Sequence, residues 1–258
     1  MQDCDVLIIG AGMAGASLAW RLAQGGQRVV LLEREAQPGT QSTGRSAAMF
    51  MESYGPPGVR ALTRAGRAFY LAPPGGFSDV PLLAPRNALF VATAAQQPAL
   101  HAMQATLAKS GTQLALLDEA QALALAPALR PGVFAQALLD VDGFDMDVNA
   151  LLQGFVRGAR QAGAQLLTGV HPVAAQHEGT GWRVTLSNGQ VLQAAVVANA
   201  AGAWADEVGA LFGAQPIGLE PRRRSAFTFA PPAGTDWSRT AMVCDVDEQW
   251  YFKPDAGQ

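Results

Sequence analysis

The chain has 258 residues, 49% hydrophobic and 15% charged, enough apolar material for a sizeable core in one large or two smaller α/β domains, which excludes a disordered chain. The net charge of -3 leaves no basic field for phosphate backbones or anionic lipid, and nucleic acid is excluded as a partner. Cys4 and Cys244, with His101, His171 and His177, form neither a disulfide framework nor a metal-ligand spacing, so no metal is expected and a reducing, cytoplasmic compartment is.

In chain order, Asp5 to Ile9 reads as a buried parallel strand, far shorter than the roughly 20 apolar residues of a membrane span. No other segment reaches that length, so any membrane association is expected to be peripheral, at the inner membrane. Met13 to Gln24 reads as a helix ended by Gly25-Gly26, and Arg28 to Leu32 as a second strand, which completes a βαβ unit. Ala36 to Pro57, rich in Gly, Ser, Thr and Pro, predicts a functional loop or a very short helix. Val59 to Tyr70 and Pro98 to Lys109 predict helices, with strands at Asn87 to Thr93 and Val133 to Leu139. Val148 to Ala162 predicts a helix and Gln165 to Thr168 a strand. Trp182 to Leu186 and Gln190 to Gln193 predict a hairpin closed by Asn188-Gly189 in a type I′ turn. Ala194 to Asn199 predicts a buried strand and Ala203 to Phe212 a helix. Arg222 to Ala230 and Ala241 to Phe252 predict antiparallel strands of a second domain.

The chemistry starts at Gly10-Ala11-Gly12-Met13-Ala14-Gly15, a G-x-G-x-x-G motif between a predicted strand and a predicted helix. Its glycines serve a tight turn, close approach of backbone to a pyrophosphate, and helix-to-strand packing, while the helix N-terminus supplies N–H groups for the phosphates. Glu33 ends the second strand at the spacing of an acid that takes ribose hydroxyls, and its charge repels a 2′-phosphate. FAD or NAD fits these residues and NADP does not.

The choice of dinucleotide comes from further along. Leu32 to Gly39, Ser42 to Ala48, Asn199 to Trp204, Arg223 to Phe227 and Lys253 to Gly257 together resemble the D-amino-acid oxidase superfamily of flavoproteins, most closely its bacterial FAD-dependent D-arginine dehydrogenases. The resemblance implies a Rossmann-like α/β FAD-binding domain of the glutathione-reductase type, residues 1–50 and 145–215. It also implies an inserted α+β substrate domain on an antiparallel sheet, residues 51–144 and 216–258. It places Gly10, Gly12, Ala14 and Gly15 at the dinucleotide and Glu33 and Arg34 at the ADP ribose. Ser42, Thr43, Gly44, Arg45, Ser46, Ala47, Ala48 and Met49 are implied beside the isoalloxazine, Val173 at the adenine through its backbone, and Ala201 and Gly202 near the diphosphate.

On the substrate side the resemblance implies that Arg224 forks the substrate carboxylate, helped by Tyr54 and Tyr251, and that Met49, Met51, Ala88, Met242 and Cys244 line the pocket. On a strand, Arg224 shares a face with Ala226 and Thr228, opposite Phe227 and Phe229. Met49 stands where D-arginine dehydrogenase carries a histidine, and Ala88 where an acid pairs with the substrate guanidinium. A buried cation without its counter-charge is costly, so a neutral, apolar D-amino acid is expected, oxidised to a 2-oxo acid and ammonia. The implied electron acceptor is a quinone or another carrier. The alternatives are another flavin oxidase of the superfamily, acting on glycine, an N-methyl amino acid or a 2-hydroxy acid, and a non-catalytic nucleotide-binding fragment. The last is raised because family members continue past the position of Gln258 into a second substrate-binding arginine and a glycine-rich segment.

Overall fold

The structure, a computed structural model, describes residues 2–109, 111–112, 114–223 and 225–254. The chain divides into two compact units. One comprises Met1–Ala47, Pro73–Leu82 and Asp147–Arg223, the other Ala48–Ala72, Leu83–Met146 and Arg224–Gln258.

The first unit is built on a six-stranded sheet in the order Pro172–Glu178, Gly181–Leu186, Val191–Asn199, Gln2–Ile9, Val29–Leu32, Gln165–Leu167. The last four run parallel and the first three form an antiparallel meander. Parallel strands require a crossover, and the Met13–Gln24 helix supplies it between Gln2–Ile9 and Val29–Leu32. The all-apolar run Val29–Leu32 is fully buried, as expected of a parallel strand. The Met13–Gln24 helix packs on the Val148–Gln161 helix through Trp20, which stacks edge-on against Phe77 and tilted against Phe155. Phe77 explains why Pro73–Leu82 returns to this unit. Its ring fills the notch at Gly154, where an added Cβ would stand 2.5 Å from it, and the Arg157 guanidinium donates to its carbonyl.

The second unit carries a five-stranded sheet in the order Tyr251–Phe252, Met242–Asp245, Ala88–Ala92, Gln136–Asp140, Leu114–Leu117. A three-stranded sheet holds Met49–Phe50, Phe144–Met146 and Leu83–Pro85. The expectation of antiparallel strands here needs one correction: Met242–Asp245 runs parallel to Ala88–Ala92. Helices Pro57–Leu71, Gln97–Lys109 and Glu119–Leu125 complete the unit.

Three further expectations differ from the structure. Val191–Asn199 is one continuous strand, because 191–194 complete the meander on one edge while 192–199 pair with Gln2–Ile9 on the other. The hairpin before it closes through a three-residue loop, 187–189. Only Gly189, at φ 83°, is left-handed there, and Asn188 is not among the positive-φ residues, whereas a type I′ turn needs both. Finally, 222–230 is not a strand among the described residues. Pro216, Pro221, Pro231 and Pro232 remove ladder donors around it, no neighbouring strand offers a partner, and Phe227 is left 83% exposed.

Candidate functional site

The G-x-G-x-x-G turn sits at the carboxyl end of Gln2–Ile9, where ligands of open parallel sheets bind. Gly10 has φ 104°, and a Cβ on it would lie 2.4 Å from the Ala200 carbonyl oxygen. A Cβ on Gly15 would lie 1.8 Å from the Gly10 carbonyl oxygen, so the helix is drawn onto the turn as only glycine allows. Gly12 is the N-cap of the helix and makes no side-chain cap, and Ala14 in the first turn is exposed. Thr43 Oγ1 accepts from the Met13 amide at 3.1 Å. The small-residue loop therefore reaches the start of the helix, an end that carries partial positive charge suited to a phosphate.

Glu33 is fixed by the backbone. Its Oε2 accepts from the Ala11 amide and its Oε1 from the Glu35 amide, each at 3.0 Å. A carboxylate offers about four acceptor sites, so two remain for a pair of ribose hydroxyls. The neighbouring chain is locked around it: the Glu33 amide donates to the Leu167 carbonyl, and the Val170 amide to the Glu33 carbonyl. Val173 is the extra residue of a bulge, since Pro172 pairs with Leu186 and Ala174 with Thr185. A bulge takes its residue out of the ladder, which is what backbone contact to a base requires.

Arg34 is exposed, with its guanidinium 5.1 Å from the Trp204 ring centroid. In the loop, Ser42, Gly44, Arg45 and Ser46 are exposed, Thr43–Arg45 forms a 3-10 turn whose Arg45 amide donates to the Ser42 carbonyl, the Gly44 amide reaches back to the Gly39 carbonyl, and Arg45 Nε donates to the Thr40 carbonyl. The chain leaves this unit after Ala47, and Ala48 takes φ 54°, a left-handed conformation costly for a residue with a Cβ. Ala201 and Gly202 form the second small-residue turn. Asn199 holds it, its Oδ1 accepting from the Ala201 amide and its Nδ2 donating to the Ala205 carbonyl. Sequence reasoning passed over Asn199 as a strand end. Its signal was an Asn placed where a strand turns into a helix.

In the second unit, Met51, Ala88, Met242 and Cys244 lie in one buried cluster with Met49 packed against it. Met242 is in register with Ala88 and Ala88 with Asp140, and Tyr251 is in register with Cys244, so these side chains share one face of the five-stranded sheet. Burial pushes the Cys244 thiol up to about 11, which keeps it a neutral packing group. Tyr54 and Tyr251 are exposed. Arg224 lies outside the described residues, and the strand alternation expected to orient it is not formed on either side.

Asp140 was not anticipated. It is 1% exposed, stands beside Ala88 one strand away, accepts from Ser53 Oγ at 2.5 Å and from the Asp142 amide at 3.0 Å, and burial raises its pKa above the ordinary carboxylate range. Each oxygen thus accepts one hydrogen bond from within the protein.

A βαβ cradle with an acid at the ribose position, at the carboxyl end of a parallel sheet, defines a dinucleotide-binding protein. The chain belongs to the DAO family of FAD dependent oxidoreductases, whose sequence profile matches residues 5–258. Its cofactor is FAD, and the open helix end, the tethered Glu33 and the Val173 bulge fit the ADP half of that molecule. The chain is similar to glycine oxidase from Geobacillus kaustophilus, with a TM-score of 0.80 at 20% identity over 100% of this chain and 70% of that one. It is likewise similar to L-proline dehydrogenase from P. horikoshii, with a TM-score of 0.73 at 17% identity over 99% of this chain and 68% of that one. Locally it is 52% identical over 41 residues, 16% of this chain and 10% of the relative, to a probable electron transfer flavoprotein-quinone oxidoreductase, YgcN, of Escherichia coli (strain K12). The chain therefore spans about a tenth of the length of that curated relative in the stretch they share. Among the described residues, no helix is long and apolar enough to cross a membrane.

Proposed function

We propose that the protein oxidises the Cα–N bond of a neutral, apolar D-amino acid. The observation that carries this reading is the convergence of Met49, Met51, Ala88, Met242 and Cys244 in one apolar cluster, with Asp140, the acid beside them, already bonded to Ser53 and the Asp142 amide. A basic side chain would meet on that face a buried carboxyl already engaged within the protein rather than an open counter-charge. Bound FAD would supply the two-electron oxidation, as acceptor of the α-hydrogen as hydride. The imino acid left behind adds water and releases the 2-oxo acid and ammonia.

The protein's part is orientation. Arg224 forks the carboxylate, Tyr54 and Tyr251 complete its contacts with phenol hydroxyls, and the fixed carboxylate decides which enantiomer presents its hydrogen. The electrons then pass to a quinone or another carrier, a reading supported by the local likeness to a quinone oxidoreductase. The test is the absorption spectrum of the flavin-bound chain during anaerobic addition of D-leucine, D-methionine and D-arginine. Bleaching by the first two is expected, and bleaching by D-arginine alone overturns the substrate class. The likeness to glycine oxidase favours one second reading, an oxidase of glycine or an N-methylated glycine, which the same spectrum detects with those compounds.

A further inference from the structure

The segment that carries Met51 and Tyr54 alternates between inward and outward residues: Met51 and Ser53 are buried, Glu52 is half-buried and Tyr54 is 45% exposed. Three ties hold it. Ser53 Oγ donates to Asp140 Oδ2, Glu52 Oε1 accepts from Arg67 at 2.9 Å, and Arg60 Nη1 donates to the Gly55 carbonyl at 3.0 Å. The two arginine ties come from the Pro57–Leu71 helix, immediately along the chain. The Ser53–Asp140 bond joins it to the Gln136–Asp140 strand, 87 residues away in sequence. Together with the burial of Met51 in the cluster around Ala88 and Met242, it joins the segment to that sheet face.

Ser53 and Tyr54 are adjacent in a turn whose Tyr54 amide donates to the Met51 carbonyl at 3.5 Å, so a fixed Ser53 fixes the backbone from which Tyr54 projects. A rotation that freed Ser53 would leave a buried carboxyl with one partner lost, which is the costly outcome for a buried acceptor. We propose that Asp140 and Ser53 form a clasp that positions Tyr54, making Asp140 a positioning residue for substrate recognition rather than a catalytic one. The inference rests on the reading of Tyr54 as a substrate contact; the clasp itself does not.

The experiment compares Ser53→Ala, Asp140→Ala and Asp140→Asn with the parent in the flavin-bound chain. Asn keeps the clasp without the charge, since its Oδ1 accepts from the Asp142 amide and its Nδ2 donates to Ser53 Oγ. Hydrogen exchange of the peptide spanning 51–55, read by mass spectrometry, is expected to quicken about ten-fold or more in Ser53→Ala and Asp140→Ala, the ratio that loss of one ordinary buried hydrogen bond produces. Exchange in Asp140→Asn is expected to stay near the parent rate. Ser53→Ala removes only an oxygen and is the variant to trust where Asp140→Ala does not fold. In flavin reduction by a D-amino acid, Ser53→Ala is expected to raise KM about ten-fold with kcat within about two-fold.

Unchanged exchange over 51–55 in Ser53→Ala overturns the clasp. Quickened exchange with an unchanged KM overturns its role in positioning Tyr54. Flavin that no D-amino acid reduces overturns the proposed function, and the exchange measurement still decides the clasp.

Discussion

Substitution of Gly15 by alanine tests whether the start of the Met13–Gln24 helix is held against the turn as tightly as the geometry requires. Within an ordinary helix the change is favourable by about 1 kcal/mol, because glycine has more backbone freedom to lose. Here the new Cβ would stand 1.8 Å from the Gly10 carbonyl oxygen and 3.3 Å from the Ala200 Cβ. The first contact is with backbone, which cannot rotate away, so the helix must lift from the strand at an overpacking cost of about 1–3 kcal/mol. At roughly 2–4 °C per kcal/mol for a chain of this size, the melting temperature of the apo-protein falls by about 2–12 °C. Flavin affinity falls too, by about ten-fold or more, because the lifted turn carries the amides that face the diphosphate. Gly209, in the Ala205–Leu211 helix, provides the control. An added Cβ there meets only the Ala214 Cβ at 3.7 Å and the Asn199 Nδ2 at 3.9 Å, and Gly209→Ala is expected to leave the melting temperature level or raise it by a few degrees. Scanning calorimetry with flavin fluorescence titration reads both. A Gly15→Ala variant that melts like Gly209→Ala and binds flavin like the parent refutes the close-approach argument.

Glu33→Gln replaces one acceptor oxygen with an amine facing either the Ala11 or the Glu35 amide, so flavin binding by fluorescence titration is expected to weaken about ten-fold or more, with no NADP binding gained. Asp140 prefers its proton in the folded chain because burial raises its pKa, an effect Asp142 and Glu52 reinforce while Arg67 sits on Glu52 and Asp142. A raised carboxyl favours folding most below the ordinary value of 3.8 and loses that advantage as pH climbs through it toward the folded value. The melting temperature of the parent relative to Asp140→Asn should therefore fall between pH 3 and neutrality, about the ordinary carboxyl range, and a flat difference contradicts the assignment. Cys4 and Cys244 are both buried, with thiols pushed up to about 11, so Ellman's reagent at pH 8 is expected to react slowly with the native chain and fully after unfolding.

What the sequence made legible was local. The βαβ unit was readable because the glycine spacing, the apolar strands and Glu33 fall within one short window, and each element there forms from its own neighbours. The Val148–Gln161 helix was readable from periodicity and from Asp147, which caps it by accepting from the Ala150 amide. One failure is local, Asn188 not taking the left-handed conformation a type I′ turn needs, and the others concern partners distant in sequence. Apolar alternation at 222–230 satisfies the pattern of a strand, but a strand exists only where another backbone meets it, and no period in the sequence supplies that. The parallel pairing of Met242–Asp245 with Ala88–Ala92 crosses some 150 residues and leaves no local mark.

The face proposed to meet the substrate shows why the same limit applies to function. Reading position 88 alone, an alanine in place of an acid argues that the pocket has lost its negative charge. The fold returns a carboxyl to the same face from Asp140, one strand over, in register with Ala88. What decides the local electrostatics is then the pairing of that carboxyl, not its presence: with the Ser53 hydroxyl on one oxygen and the Asp142 amide on the other, it is engaged within the protein. A charge gained or lost at one position of a sheet has meaning only together with the residues beside it across the strands, and those pairings come from the fold.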